Sequence, residues 1–341
     1  MAKLVTLADI AQKLNVSTVT VSKALSGQTG VSEKLRAEIK RLANELGYLQ
    51  PSAAKLGKSG ECYVGVVISD KYLDKYATFY WQLYHEVAAK ALQKDCLTIL
   101  EILTADAERK CEVPKILKES KVQGIVIIGQ LDGNYMQIIS TYGRIPIIYL
   151  DVTYNHHDCD AVISDNYYGM YSMTNYLIEK GHKSIAFVGT LLSTESINDR
   201  YMGYCKALLE HGIQRNPAWV IDDRDKNSGR SDEKGFELKL PDEMPTAFAC
   251  NCDSTAGNLI KLLESKGYRI PEDISVVGFD NYIYPGLCDV NITTYEVDIK
   301  EMARKCINNI LHKINGENYK QGINIIEGRI VEKNSVNKVN G

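Results

Sequence analysis

From Cys62 onward, short apolar runs alternate with stretches of helical length, and this alternation constrains the possible fold more than any other feature of the sequence. The runs cover residues 62–69, 97–102, 124–129 and 145–151, and then 161–164, 184–189, 245–250 and 274–280. Strands that are separated by helices run parallel, and a parallel sheet is buried on both faces, which explains why each run is continuously apolar. We therefore predict two open α/β lobes, with the first four runs in one lobe and the last four in the other.

A cleft between two such lobes is the expected ligand site, because open α/β sheets bind ligands beyond the carboxyl ends of their strands. Neither set of strands begins with a Gly-x-Gly-x-x-Gly sequence, so a dinucleotide is not indicated. A Gly-x-Ser-x-Gly nucleophile elbow is also missing from the sequence. We expect no catalytic residues and no cofactor.

Residues 1–48 have a different texture and predict three short helices. In residues 7–14 apolar side chains recur with the spacing of one helix face, and Thr6 can cap that helix. Ser17 is a suitable N-cap for a second helix, and Ser32 for a third. Three helices of this length can bury a small core of their own.

The second helix is predicted to have two different faces. One face carries Val21, Ala24 and Leu25 and would pack on the first helix. The opposite face carries Thr18, Val19, Ser22 and Lys23. Hydroxyl groups and a lysine can reach base edges and phosphates in a DNA major groove. An ordinary helical hairpin with a solvated polar face has the same periodicity, so this pattern leaves both interpretations open.

Charge is distributed unevenly along the chain. Residues 1–60 contain nine Lys or Arg and four Asp or Glu, a formal charge of +5, which leaves −8 for the remainder because the whole chain carries −3. A basic head on an acidic body is typical of a head that meets a polyanion, although chance clustering would give the same count. We divide the chain into a headpiece at 1–48, a linker at 49–60 and a two-lobed core at 61–341.

The sequence shows neither an export signal nor a stretch of the ~18 apolar residues that a membrane span needs. We therefore expect a cytoplasmic protein without a membrane partner. Its nine cysteines are an odd, scattered set, which favours reduced, buried thiols over a disulfide framework. Residues 155–159 gather histidine, aspartate and cysteine, but adjacent side chains rarely bind one ion together, so we expect no metal site.

Five segments, in their order and spacing, carry a resemblance to a known family. They are residues 5–25, 176–189, 200–204, 271–281 and 292–311. Together they resemble the LacI/GalR family of bacterial transcription regulators over nearly the whole chain. The resemblance implies a helix-turn-helix headpiece, a hinge, and a core like a type I periplasmic sugar-binding protein. It also implies a repressor that binds operator DNA as a homodimer, with a tetramer as the alternative assembly, and with an affinity set by a sugar-like effector.

The resemblance assigns roles to particular residues of the headpiece and linker. Thr18, Val19 and Lys23 would read bases, and Thr6, Ser17, Thr20 and Ser22 would be neighbouring DNA contacts. Leu56 would wedge into the minor groove, a common device of minor-groove proteins. The distance from Tyr48 to Leu56 is one residue short of the family pattern, and Ser52 stands where an asparagine is common.

In the core, the resemblance places Arg200, Asn251 and Asp280 in contact with the effector. An arginine fork, an amide and a carboxylate together suit a polyol, since they offer both donors and acceptors. The aromatic residues that follow the first strand could stack on a sugar ring; they are Phe79, Tyr80 and Trp81. The alternative roles are a surface ion pair for Arg200, a turn cap for Asp280 and helix packing for the aromatic residues.

Two departures from the family pattern indicate an unusual effector. Cys252 replaces the usual aspartate after Asn251, and the polar run at 222–235 matches no clear ligand position of the family. A second class of function also remains open, namely a sugar-binding or sugar-metabolising α/β protein whose head has another use. The basic head and the hydroxyl-rich helix face favour the regulator.

Overall fold

The structure is a computed structural model, and it describes residues 7–25, 30–45, 62–73, 78–119, 121–141, 145–154, 159–226, 228–231, 235–282, 284 and 286–339. The chain divides into two compact units, Met1–Glu61 and Cys62–Gly341. Thr6, the predicted linker with Leu56, and most of the 155–159 run lie outside the described residues.

The described part of the headpiece contains three helices, α1 (Leu7–Leu14), α2 (Thr18–Leu25) and α3 (Glu33–Glu45). Their shared core consists of small and branched apolar side chains, namely Ile10, Ala11, Val21, Ala24, Ile39 and Ala43. The predicted caps at Ser17 and Ser32 are confirmed, since their hydroxyls accept hydrogen bonds from the backbone N–H groups of Thr20 and Leu35. The positive φ of Asn15, 51°, makes the turn between the first two helices.

The core alternates strands and helices. Its first half contains β1 (Cys62–Ser69), α4 (Phe79–Leu92), β2 (Cys96–Leu103), α5 (Ala105–Arg109), α6 (Lys115–Lys118), β3 (Gly124–Ile128), α7 (Gly133–Thr141), β4 (Ile147–Leu150), β5 (Ala161–Ser164) and α8 (Asn166–Glu179). Its second half contains β6 (Ile185–Val188), α9 (Glu195–Glu210), β7 (Val220–Ile221), β8 (Ala247–Cys250), α10 (Asp253–Ser265), β9 (Ser275–Asp280), β10 (Thr293–Glu296), α11 (Ile299–Asn315), β11 (Ile323–Ile326) and β12 (Arg329–Val331).

These strands form two six-stranded sheets, as two lobes require. The first sheet has the order β11-β5-β4-β3-β1-β2 and is parallel throughout. The second has the order β12-β10-β9-β8-β6-β7, with only β12 antiparallel. Buried side chains cover both faces of each sheet, so the continuous apolar runs of the sequence are explained.

The assignment of residues 161–164 to the second lobe was wrong. This strand, β5, pairs in parallel with β4 and belongs to the first sheet. The reason lies in the connection between β4 and β5, where the described residues form no crossover helix, so the strand–helix alternation did not indicate which sheet the strand joins. The chain passes to the second lobe after β5, and α11 with β11 later returns to the first sheet.

The expectation that all cysteines are reduced was also wrong. Cys62 and Cys96 form a disulfide that joins directly paired positions of β1 and β2. The other seven cysteines are free thiols, as expected. Sequence spacing could not indicate the bond, because parallel pairing brings together residues 34 positions apart. Among the described residues, no helix is long and apolar enough to cross a membrane.

Candidate functional site

The headpiece presents the predicted polar face of α2 to solvent. Ser17, Thr18, Val19, Ser22 and Lys23 are exposed and Thr20 is partly buried, whereas Val21 and Ala24 are buried. Val19 is 60% exposed, which is unusual for a branched apolar residue and leaves its methyl groups available for contact. The structure therefore brings all six described candidates for DNA contact onto or beside one face.

Arg36 of α3 fixes the C-terminal end of α2. Its Nη1 donates to the carbonyl oxygens of Lys23 and Ala24, at 3.3 and 2.9 Å. A guanidinium at a helix C-terminus satisfies carbonyls that lack intrahelical partners and complements the helix dipole. The backbone that carries Lys23 is thereby held against the third helix.

In the core, the predicted cleft lies between the carboxyl ends of the two sheets. It encloses about 1180 Å³, including space open to solvent, and both lobes contribute to its wall. Asp151, Asn251 and Asp280 stand at or just after the ends of β4, β8 and β9. This is the location that open α/β sheets use for ligands.

Arg200 of α9 is the centre of a hydrogen-bonded network in the cleft wall. Its side chain is buried, and its Nε donates to Oδ1 of Asn166 at 2.8 Å while Nη1 donates to the carbonyl oxygen of Asn251. Its Nη2 lies 3.3 Å from Oδ1 of Asp280, and its guanidinium lies 3.8 Å from the ring centre of Phe279. The alternative role of Arg200 as a surface ion pair is therefore wrong.

Two carboxylates, one from each lobe, face Arg200. Asp151 accepts a hydrogen bond from the Tyr80 hydroxyl at 3.0 Å, and Asp280 forms the ion pair with Arg200. Among the described residues, Oδ1 of Asp151 is buried without a hydrogen-bond donor, and Oδ1 of Asp280 faces only the Arg200 guanidinium. Both residues have positive φ, 58° for Asp151 and 99° for Asp280, and strained backbone of this kind clusters at functional sites.

Burial controls the protonation of these carboxylates. Burial, against the opposing Arg200 charge and with a smaller contribution from the nearby Asp151, raises the pKa of Asp280 to about 7. Burial also raises the pKa of Asp151, against the opposing effects of Arg200 and the Tyr80 hydrogen bond. The Asp280 carboxyl group therefore holds or releases a proton near neutral pH, depending on what binds beside it.

Asn251 and a third carboxylate, that of Asp223, form a buried hydrogen-bonded hub under the cleft. Asp223 accepts hydrogen bonds from Thr190 N, Asn251 Nδ2 and Thr255 Oγ1, at 2.9, 2.7 and 2.8 Å. It also accepts two from Arg224, whose Nε and Nη2 lie at 3.1 and 2.8 Å. Burial alone would raise the pKa of Asp223, but the Arg224 charge and these hydrogen bonds hold it well below its usual range. The hub fixes Arg224 in the cleft wall.

Only two of the three aromatic residues predicted to contact the effector line the cleft. Phe79 and Tyr80 line the cleft, and their rings lie 5.4 Å apart with an edge-to-face arrangement. Trp81 is not among the described lining residues, and its ring lies 6.1 Å from that of Tyr84. Consecutive helix residues point about 100° apart, so three in a row cannot face one cleft. We therefore withdraw Trp81 as an effector contact.

Several described lining residues were missed by the sequence analysis, namely Lys71, Tyr72, Asp151, Arg224 and Arg230. Asp151 could have been found, because it ends an apolar run in the same way as Asp280. Arg224 follows β7, a strand of two residues that gave no detectable apolar run. Gly129, with φ of 74°, allows the Tyr72 ring to pack directly against the backbone, since a Cβ at this position would lie 2.8 Å from that ring.

Two family models match the chain. Residues 6–51 match the model of bacterial regulatory proteins of the lacI family, and residues 174–336 match a periplasmic binding protein-like domain. The chain is 28% identical over 315 residues to the NTD biosynthesis operon regulator NtdR of Bacillus subtilis, a match that covers 91% of the chain and 93% of the relative.

Solved structures agree with these matches at the level of the fold. One is a complex of the transcriptional regulator CelR with cellobiose, with a TM-score of 0.68, 20% identity, and coverage of 97% of this chain and 99% of that one. Another is the Lac repressor dimer bound to operator and the anti-inducer ONPF, with a TM-score of 0.66, 23% identity, and coverage of 98% and 100%. With its LacI-type helix-turn-helix domain and periplasmic-binding-protein-like core, the chain belongs to the LacI family of DNA-binding transcriptional regulators.

Proposed function

We propose that this chain is a repressor that binds a palindromic operator as a homodimer. A sugar or sugar derivative that binds between the core lobes raises or lowers its affinity for the operator. The chain acts as a regulator rather than an enzyme, and its place of action is the cytoplasm. The observation that carries the proposal is the pair of buried carboxylates, Asp151 and Asp280, which face Arg200 in an interlobe cleft.

The exposed face of α2 supports the DNA-binding half of the proposal. Thr18, Val19 and Lys23 would contact base edges, with apolar contact from Val19 to thymine methyl groups and charge-assisted contact from Lys23. Ser17, Thr20 and Ser22 would contact the DNA backbone. Thr6 and Leu56, which lie outside the described residues, remain predictions from the family resemblance.

The chemistry of the cleft supports a ligand rich in hydroxyl groups. The buried Oδ1 of Asp151 lacks a donor, Asp280 can accept more hydrogen bonds than its contact with Arg200 provides, and each sugar hydroxyl supplies one donor. Arg200 and Asn251 are already held by protein partners, so they are preorganised beside the ligand. Phe79 and Tyr80 offer aromatic surface for the apolar face of a sugar ring.

The edge of the first sheet supports a homodimer. β2 is an edge strand, and it exposes Leu97 and Ile102 at 48% and 44%. Leu92, at the end of the preceding helix, is 64% exposed. Exposed apolar residues on a sheet edge are typical of an interface, since an uncovered edge invites pairing with another chain.

Coupling between the cleft and DNA follows from the connectivity of the chain. The first lobe begins at Cys62, directly after the predicted linker, so its orientation sets where the linker leaves the core. In a dimer, a change in the angle between lobes would alter the spacing of two headpieces. An effector can shift operator affinity only by its different affinity for the two arrangements.

The DNA-binding half is tested by selecting bound sequences from random duplex DNA with the full-length protein. We expect a palindrome with two half-sites, because one headpiece contacts too little DNA for useful specificity. Lys23→Ala should weaken binding to the selected site by ~1–3 kcal/mol and relax the preference at one position of each half-site.

Lys320→Ala is the matched control, since it removes an exposed lysine of the core. It should leave operator affinity unchanged. Failure to select any palindrome would contradict the proposed operator. A uniform loss for Lys23→Ala over all sequences, with a smaller salt dependence, would assign Lys23 to phosphate rather than to base contact.

A further inference from the structure

The wall of the cleft carries more cations than carboxylates. Among its described lining residues are Lys71, Arg200, Arg224 and Arg230, against Asp151 and Asp280. Arg200 pairs with Asp280, Arg224 pairs with Asp223 behind the wall, and Arg230 pairs at 4.0 Å with Asp70. Lys71, Arg224 and Arg230, which we call the basic group, are not explained by the recognition of neutral hydroxyls.

Lys71 is a partly buried ammonium without a close counterion. Among the described residues, no carboxylate lies within 4.0 Å of its Nζ. The two acids with the largest electrostatic effect on Lys71 serve other donors, since Glu108 accepts from Ser69 Oγ and Asp132 N, and Asp132 accepts from Asn134 N. Burial lowers the pKa of Lys71, and the Arg224 charge lowers it further against the opposing acids. A ligand anion beside Nζ would offset this cost.

The Arg224 guanidinium is hydrogen-bonded to Asp223 through one edge, and Arg224 lines the cleft. Its Nε and Nη2 donate to Asp223, and no described residue accepts a hydrogen bond from its Nη1. Asp223 in turn is fixed by Thr190, Asn251 and Thr255. A guanidinium that is fixed in this way pays little ordering entropy when it binds an oxyanion.

Arg230 reaches the same region from a tight turn of the polar run that matched no family ligand position. The turn is closed by hydrogen bonds from Asp225 N to Arg230 O at 3.0 Å and from Gly229 N to Asp225 O at 2.9 Å. Asp225 also accepts from Ser228 N. Nη1 of Arg230 lies 4.0 Å from Oδ1 of Asp70, the neighbour of Lys71 in the other lobe. Arg230 of the second lobe therefore reaches the residue next to Lys71 in the first lobe.

We propose that the effector is a sugar carrying an anionic group, a phosphate or a carboxylate, which binds Lys71 of one lobe and Arg224 and Arg230 of the other. The proposal rests on the proposed effector role of the cleft and deepens it. The hydroxyls of the same molecule would donate to Asp151 and Asp280. Charge-assisted bonds from guanidinium and ammonium groups to an oxyanion are stronger than bonds between neutral groups, so the anionic group would dominate affinity.

The test compares matched ligands on the full-length protein by isothermal titration. The pairs are glucose with glucose 6-phosphate, ribose with ribose 5-phosphate, and glucose with glucuronate, and inorganic phosphate is compared with sodium chloride at equal ionic strength. We expect an anionic member to bind at least about tenfold more tightly than its neutral partner, and inorganic phosphate to compete with it. The phosphate and carboxylate arms distinguish the two anionic groups.

Substitutions in the basic group test whether the anionic group of the ligand binds there. Lys71→Gln and Arg230→Gln should each weaken the anionic ligand about tenfold while changing a neutral partner less than about threefold. Lys320→Gln, an exposed lysine outside the cleft, should change neither. Circular dichroism verifies folding, and Arg230→Gln alters a surface turn, so it remains informative if Lys71→Gln fails to fold.

The outcomes separate this inference from the proposed function. Neutral sugars that bind as tightly as their charged partners, and lose affinity in Asp280→Asn, would overturn the anionic ligand and leave the sugar-responsive regulator standing. Equal losses for neutral and anionic ligands in Lys71→Gln and Arg230→Gln would overturn the basic group as an anion site. Binding of none of these ligands would overturn both proposals.

Discussion

Replacing Asp223 by asparagine should destabilise the core strongly, although the two side chains have nearly the same shape. The carboxylate is fully buried and accepts five hydrogen bonds, two of them from Arg224, whose side chain is 17% exposed. Asparagine keeps one acceptor oxygen and turns an NH₂ group toward donors. Breaking a buried ion pair by removing one partner costs about 3–5 kcal/mol, because the other charge stays buried.

Urea unfolding of the full-length protein, followed by the fluorescence of its two core tryptophans, Trp81 and the buried Trp219, measures this loss. With a slope of about 2 kcal/mol/M, the midpoint of the core transition should fall by about 1.5–2.5 M. The double variant Asp223→Asn/Arg224→Gln should lose less than the sum of the single variants, with a coupling energy of about 1–3 kcal/mol.

The neighbouring Asp222 provides a matched control. It forms an exposed ion pair with Lys226, at 2.9 Å and with side chains 44% and 68% exposed, and exposed pairs contribute little. Asp222→Asn should therefore change stability by less than about 0.5 kcal/mol. If Asp223→Asn costs no more than Asp222→Asn, or if the double variant is simply additive, the buried hub does not hold Arg224 in the way argued above.

Two further predictions concern the cleft and the packing of the second lobe. Because the folded pKa of Asp280 lies at about 7, above its unfolded value, its contribution to stability is complete in acid and is lost as pH rises through about 7. The stability of Asp280→Asn relative to the unsubstituted protein should thus rise by up to about 4 kcal/mol between pH 4 and pH 8 in urea unfolding, and a constant difference would contradict the buried carboxyl. Gly203→Ala places a Cβ 2.1 Å from the Tyr167 carbonyl oxygen, so α8 and α9 must separate. It should lower stability by about 1–3 kcal/mol or more in thermal unfolding, whereas Gly133→Ala, which meets open space, should not; equal midpoints would refute the close approach.

The strands and the headpiece helices could be predicted because their signals are local. The run at 62–69 coincides with β1, since a strand that is buried on both faces has no polar position to interrupt it. The faces of α2 followed from helical periodicity, because Val21 and Ala24 are buried while Val19 is exposed. Local patterns of this kind need no knowledge of the partner element.

Features that depend on distant pairing could not be predicted in this way. The sheet to which β5 belongs is decided by pairing with β4, and apolar runs of either lobe look alike. β11 alternates exposed and partly buried residues at a sheet edge, so it gave no apolar run. Arg200 and Asp280 could be named from the family resemblance, but the hydrogen bonds of Asp223 with Thr190, Asn251 and Thr255 join residues up to 33 positions apart.

We propose that a ligand in the interlobe cleft changes the affinity of the headpiece for its operator. Fluorescence anisotropy of the selected palindrome, titrated with full-length protein with and without a saturating cleft ligand, tests it most directly. We predict a change in operator affinity of at least about fivefold, the lower end of typical allosteric couplings. Asp280→Asn should bind the operator normally without ligand and lose this response. Equal operator affinities with and without bound ligand, or an unchanged response in Asp280→Asn, would contradict the account.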